Sequence, residues 1–239
     1  MIVDSLESGS LMIPFKQAFK HASASRAATQ TLMVTVRTAD GTRGFGEGCP
    51  RDYVTAETLA TAARFIREHR ADWLATLQEM TDVAEWSIRH RREIDANPAA
   101  WTAVELALLD LCGRVHGRPA EALLGLEPLA GQFRYTAVLG DMGLGEFEAQ
   151  LARYRLLEFR EFKIKLTGDR GRDRARVKAL VCAGVPPGAV RADANNLWPD
   201  ADTAIRDLAA LDFPFLAVEE PLRVGDYAGM SRLAQALHT

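Results

Sequence analysis

Lys163, Lys165, Asp193 and Glu219 are the residues of this sequence whose types and spacing could do chemistry. Lys165, Asp193 and Glu219 each end a short apolar stretch, and a chain breaker follows each: Gly168, Asn195-Asn196 and Pro221. They lie 28 and 26 residues apart, close to one strand-plus-helix unit of a (β/α)₈ barrel of roughly 250 residues. Residues at the C-terminal ends of successive parallel strands converge on the barrel mouth, where that fold places its active sites. Two carboxylates from adjacent strands make a partial oxygen cage for a hard divalent cation such as Mg²⁺. A lysine one strand away could remove a proton α to a carboxylate while the metal stabilises the enediolate. Lys163 precedes Lys165 by two residues, so on a strand both ammonium groups share a face. That proximity and a nearby cation both disfavour a protonated lysine. The plainer alternative is that carboxylates at strand ends cap the helices that follow them.

The second part of the chain, from residue 130 to 239, supplies the elements that would hold these groups. Strands are predicted at Phe133–Leu139, Phe162–Leu166, Ala189–Ala192 and Phe215–Val218. Helices are predicted between and after them, at Leu144–Glu158, Asp173–Ala183, Ala201–Leu211 and Tyr227–Leu237. Strand–helix alternation at this pitch indicates a parallel sheet.

The first part, residues 1–129, mixes strands and helices. Thr31–Thr38 alternates, with Leu32, Val34 and Val36 on one face. Asp40-Gly41 is a hairpin signal, Gly44–Glu47 the returning strand and Ile2–Ile13 a third strand. Helices are expected from a Thr55 cap to Arg70 and from Thr81 to Glu93. The best-marked helix has Asn97 as cap, Pro98 at its first position and Gly117 past its end. Trp101, Val104, Leu108, Leu111 and Val115 form its apolar stripe, read as core packing.

Composition excludes several function classes. Twenty-nine basic against 32 acidic residues give a net charge of −3, which argues against a nucleic-acid binder. The apolar run Ala99–Cys112 is broken by Glu105 and Asp110, so no membrane span is expected. Asp4 and Glu7 stand where a signal peptide would carry basic and apolar residues. Three widely spaced cysteines suit a reducing cytoplasm better than a disulfide framework. Gly44–Gly48 lacks the Lys-Ser/Thr of a phosphate loop, and the five histidines lack zinc spacing. Arg89–Arg92 and Arg170–Lys178 read as solvated or outer helix faces, and Cys49 has no histidine beside it in sequence.

Lys163-Ile164-Lys165, Asp193-Ala194-Asn195 and Val218-Glu219-Glu220-Pro221 resemble the K-x-K, D-x-N and E-E/Q-P motifs of the enolase superfamily. Within it they are most similar to the mandelate racemase and muconate lactonizing enzyme group. Gly44-Phe45-Gly46-Glu47, Leu109-Asp110-Leu111, Gly117-Arg118-Pro119 and Leu123-Leu124-Gly125 agree. The resemblance implies an α+β capping domain (1–129) followed by the first βα units (130–239) of a TIM-type barrel, modified to (β/α)₇β in the full family. It implies Lys165 as catalytic base, Lys163 as the neighbour that tunes it, and Asp193 and Glu219 as Mg²⁺ ligands, with Asn195 orienting the site. It also implies a small anionic carboxylate substrate, such as an amino-acid derivative or dipeptide, and a homo-oligomer in the full-length form. The family's mobile capping loop corresponds to Phe15–Arg26, where Lys16, Lys20, His21 and Arg26 would favour an anionic substrate.

The family draws a third carboxylate ligand from a later strand. From Gln132 onward there are 108 residues, against roughly 250 for a closed barrel. The expectation is therefore an N-terminal fragment of a racemase, epimerase or cycloisomerase, inactive by itself. Two rival readings are a class I aldolase-type barrel, with Lys165 as Schiff-base nucleophile and no metal, and a non-catalytic fragment.

Overall fold

The computed structural model describes residues 3–21 and 24–237, without the side chains of residues 17–21, 24 and 25. The chain divides into two compact units, Met1–Phe19 with Arg26–Gly131, and Lys20–Ser25 with Gln132–Thr239.

The first unit carries a three-stranded sheet in the order β1 (Ser5–His21), β2 (Ala24–Arg37), β3 (Arg43–Gly48). β2 and β3 pair antiparallel about the turn at Asp40-Gly41, where Gly41 takes the positive φ that such turns require. Leu32, Val34 and Val36 are buried as the alternation predicts. β1 corrects the expected loop at Phe15–Arg26, because strand continues through Pro14 to His21 and resumes at Ala24. Pro14 does not end the strand because β1 is an edge strand, where a missing N–H is tolerated.

Helices α1 (Leu59–Thr76), α2 (Met80–Arg89), α3 (Arg91–Ala96), α4 (Pro98–His116) and the short α5 (Ala120–Leu123) follow. Thr58, not Thr55, caps α1. Its hydroxyl accepts the Thr61 N–H at 3.1 Å, while the Thr61 hydroxyl accepts the Thr58 N–H at 2.9 Å. The single helix expected over Thr81–Glu93 is two, separated at His90. α4 begins at Pro98 and ends at a left-handed Gly117, as read from the sequence. Its capping group comes from elsewhere, however. The Asn97 amide turns back to the Glu93 carbonyl, and the buried Glu57 carboxylate accepts the N–H groups of Ala99 and Ala100 at 2.8 and 3.0 Å. A carboxylate there meets both the orphan donors and the positive end of the helix dipole. The apolar stripe of α4 is buried from Trp101 to Leu111, but Val115 is exposed.

β3 lies against α4 without intervening side chains. A Cβ on Gly44, Gly46 or Gly48 would come within 2.0–2.3 Å of the carbonyl oxygens of Ala107, Ala103 and Ala99 respectively. Two residues of strand advance about 6.6 Å and four residues of helix about 6.0 Å, so a Gly-x-Gly-x-Gly strand keeps step with an alanine at every fourth helical position. This explains the glycine run that is not a phosphate loop.

The second unit alternates β4 (Thr136–Leu139), α6 (Leu144–Leu156), β5 (Glu161–Lys165), α7 (Arg170–Cys182), β6 (Val190–Asp193), α8 (Ala201–Ala209), β7 (Ala217–Glu219) and α9 (Tyr227–Leu237). The strands pair parallel in sequence order, as expected for successive βα units of a barrel. β4 is shorter than predicted, with Phe133 and Tyr135 exposed before it. Ala137, Leu139, Phe162, Ile164, Val190 and Ala192 form one buried cluster with Phe147, Leu151, Val177, Leu180 and Leu208 of the helices. Among the described residues no helix is long and apolar enough to cross a membrane.

The β3–α4 contact generates a stability prediction. Gly46→Ala forces a methyl into backbone atoms and is expected to cost about 3 kcal/mol. Gly145→Ala, with open space around its Cβ on α6, is expected to be neutral or stabilising by up to about 1 kcal/mol. Urea unfolding of both variants checks this; equal midpoints would refute the close contact.

Candidate active site

Strand alternation separates the two faces of the second sheet. Phe162 and Ile164 of β5 and Val190 and Ala192 of β6 point into the helix-covered core. Lys163, Lys165, Arg191 and Asp193 point to the other face. Parallel pairing then sets Lys165 opposite Asp193, and Asp193 opposite Glu219. Three of the four residues singled out in the sequence therefore form one row across the C-terminal ends of β5, β6 and β7. A second row beneath it runs Val138, Lys163, Arg191, Ala217.

The row is held together by charge. The Lys165 ammonium donates to Asp193 Oδ2 at 2.6 Å and to Asn195 Oδ1 at 2.7 Å. Lys163 reaches up from the second row to Glu219 Oε2 at 2.8 Å and to the same Asp193 Oδ2 at 3.1 Å. One carboxylate oxygen thus receives both ammonium groups. Asp193 is the most enclosed member at 6% side-chain exposure, against 12% for Lys165, 26% for Lys163 and 40% for Glu219.

These contacts set the ionisation of the site. Burial pushes the Asp193 carboxyl upward, but hydrogen bonds and charge from Lys165 and Lys163 outweigh it and hold the group below the usual aspartate range. Burial likewise favours a neutral Lys163, yet Glu219 and Asp193 hold its ammonium above the ordinary lysine value. This reverses, for Lys163, the expectation that two adjacent ammonium groups disfavour protonation. The reason is the carboxylate standing between them.

The loops beyond the strands continue the arrangement. Asn195, Asn196 and Glu220 all have positive φ, at 46°, 59° and 45°. The Asn196 N–H donates to the Glu220 carbonyl at 2.7 Å, and the Trp198 N–H to the Pro221 carbonyl at 3.0 Å. Pairing therefore persists past β6 and β7 through matched left-handed kinks, and Asn195 is turned to face Lys165. Two residues beside the row have no role in the sequence reading. Glu220 Oε2 lies 3.5 Å from the Asn195 amide nitrogen. Arg191, in the second row, donates to Thr136 Oγ1 at 2.9 Å; its signal was parity with Asp193, two residues on. Lys16 is exposed on β1 and Arg26 half-exposed on β2, both in the first unit. The side chains of Lys20 and His21 lie outside the described residues.

Asp193 and Glu219 present hard oxygen donors from adjacent strands, a donor set that fits Mg²⁺. The ammonium groups of Lys163 and Lys165 occupy the same oxygens and would compete with a cation. Among the described residues no group of three or more His, Cys, Asp or Glu is placed to hold a metal.

Comparison with known proteins gives two family matches. Residues 9–125 match the mandelate racemase / muconate lactonizing enzyme N-terminal domain, and residues 146–239 match the enolase C-terminal domain-like family. An L-Lys-D/L-Arg epimerase of Methylococcus capsulatus is 27% identical over 94% of this chain and 62% of its own length. A hydrophobic dipeptide epimerase of Citrifermentans bemidjiense is 31% identical over 94% of this chain and 61% of its own. Among solved structures, a dipeptide epimerase from Methylococcus capsulatus complexed with Mg and L-Arg-D-Lys superposes with a TM-score of 0.81, at 27% identity, over 99% of this chain and 66% of that one. The chain thus spans just over three fifths of the length of the curated relatives it matches.

The charge row generates a pH prediction. A carboxyl whose pKa is depressed by folding stabilises the fold above its unfolded pKa, and that contribution disappears as pH falls through the folded pKa. Asp193→Asn is therefore expected to cost about 2 kcal/mol at neutral pH. The difference from wild type should shrink on acidification below the ordinary aspartate range. Denaturant unfolding across pH measures it; a pH-independent difference would refute the pairing.

Proposed function

Because the chain belongs to the mandelate racemase/muconate lactonizing enzyme group of the enolase superfamily, we propose that its lysine–carboxylate row is part of the active site of a Mg²⁺-dependent enolising racemase or epimerase. The substrate is a small carboxylate, an amino-acid derivative or dipeptide. The observation that carries this reading is the register, which stands Lys165, Asp193 and Glu219 level across three parallel strands. The relatives' names, epimerases of dipeptides, support the substrate class. Nothing in the row favours the Schiff-base alternative.

In this proposal Lys165 takes the proton α to the substrate carboxylate. Two of its three donor positions go to Asp193 and Asn195, which aims the third and lets the amine turn over a proton without losing its place. Lys163 keeps Asp193 and Glu219 in register and adds positive charge beside the reacting centre. Asp193 and Glu219 would hold Mg²⁺, which when bound supplies positive charge against the anion that develops on the substrate. Asn195 fixes the Lys165 ammonium from the far side. Lys16, Lys20, His21 and Arg26 are weaker candidates for substrate contact, on the basic character of their segment alone. A capping domain over residues 1–129, barrel units over 130–239, a homo-oligomeric whole protein and a cytoplasmic setting suited to three free thiols complete the proposal. With two carboxylates in the row, the 239-residue chain alone is expected to turn over little or not at all.

The test begins with the metal. Mn²⁺, a paramagnetic substitute for Mg²⁺, is expected to bind weakly but measurably by water-proton relaxation, and Asp193→Asn is expected to lose most of that binding. Equal binding by both proteins counts against the site. Any solvent-deuterium incorporation at the substrate α-carbon is expected to require Mg²⁺ and to fall by at least about 100-fold in Lys165→Ala. Incorporation that survives either removal overturns the mechanism.

A further inference from the structure

The charged stretch at the start of α7 reads from sequence as a solvated outer face, yet two of its residues are buried: Asp173 and Arg176, the latter only 2% exposed. Neither makes a hydrogen bond to a side chain of the lysine–carboxylate row. They stand three residues apart, on one side of the helix, and both turn toward the segment that leaves β5. The Arg176 guanidinium donates to the backbone carbonyl of Lys165 at 2.9 Å, to Asp141 Oδ1 at 2.7 Å and to the Met142 carbonyl at 2.7 Å. The Asp173 carboxylate accepts the Thr167 N–H at 3.0 Å, the Gly168 N–H at 3.0 Å and the Thr167 hydroxyl at 2.9 Å. The Leu166 N–H between them donates to the Asp193 carbonyl at 2.9 Å.

The Lys165 carbonyl and the N–H groups of Leu166, Thr167 and Gly168 are thus each held by a charged side chain or by β6. A planar guanidinium holds five donors in a fixed fork and fixes the relative positions of three separated acceptors, whereas an ammonium offers three rotatable donors from a single point. The cost of burying two charges is met along the short segment from Lys165 to Gly168. We propose that Arg176 and Asp173 are positioning residues for Lys165: they clamp the end of β5 to α7 and to Asp141 after β4, and so hold the Lys165 ammonium between Asp193 and Asn195. The role of the Lys165 amine as a base rests on the function proposed above, whereas the clamp itself can be tested without any turnover.

The test is competitive acylation of the whole chain by N-hydroxysuccinimidyl acetate at limiting dose, with rates at individual lysines read by peptide mass spectrometry. Exposed Lys16 serves as the reference. Arg176→Met is expected to raise the rate at Lys165 several-fold while the rate at Lys163 stays unchanged, because Lys163 lies inside the β-ladder and Lys165 at its end. The ¹⁵Nζ ammonium resonance of Lys165, sharpened by its two hydrogen bonds, is expected to broaden in the same variant. Arg176→Lys, which keeps the charge but not the fork, should restore the signature only in part. Asp141→Asn removes the charge of Arg176's carboxylate partner at a site 40% exposed; it should show a smaller rise and decides the matter if Arg176→Met does not fold. Rates at Lys163 and Lys165 that rise together mean that β5 has loosened as a whole and overturn the proposal, as do unchanged rates at both. Loss of the proposed function would instead appear as Mn²⁺ binding indifferent to Asp193→Asn, a separate result.

Discussion

A parallel sheet covered by helices on one face has no freedom of register. Sliding β5 by one residue against β6 would turn Phe162 and Ile164 away from the core and Lys163 into it. The apolar side of each strand therefore fixes where the polar side stands, and Lys165, Asp193 and Glu219 are level because Ile164 and Ala192 are buried. The left-handed residues Asn195 and Glu220 extend the same constraint beyond the strands, since the Asn196 N–H still meets the Glu220 carbonyl. The chemistry of the row is thus positioned by hydrophobic burial that takes no part in it.

On that frame the electrostatics closes on itself. Two ammonium groups and two carboxylates face one another, and the most enclosed carboxylate is shared by both lysines. The same low-dielectric logic that makes an unpaired buried charge costly makes this quartet sensitive to any fifth charge brought into it. Under the function proposed, substrate or cation would enter by exchanging partners with groups already paired. Glu219, the most exposed of the four, is the natural point of entry.

Much of this was legible in the sequence where signals were redundant. Pro98 and Gly117 bracket α4 without ambiguity, and motif spacing set the βα rhythm to within a few residues. The misses have local causes. Thr55 and Thr58 are equivalent as cap candidates until Thr61 reciprocates the bond of one of them. Val115 keeps the helical stripe but lies beyond Leu111, the last residue of α4 that the β3 glycines approach. Glu57 caps a helix that begins 41 residues later, a relation that no local pattern encodes. Asp173 and Arg176 were hidden among like residues, and only their three-residue spacing within a charged run hinted at a common side.

The glycine–alanine seam between β3 and α4 has an evolutionary corollary. Ordinary core contacts adapt to drift by exchanging rotamers, so one partner can change before the other. Here backbone meets backbone at Gly44, Gly46 and Gly48, and there is no side chain to give way. A strand and a helix more than fifty residues apart in the chain are therefore inherited as one unit. In a recombined library, crossovers that separate them are tolerated only when both parents carry glycine and alanine in the same phase.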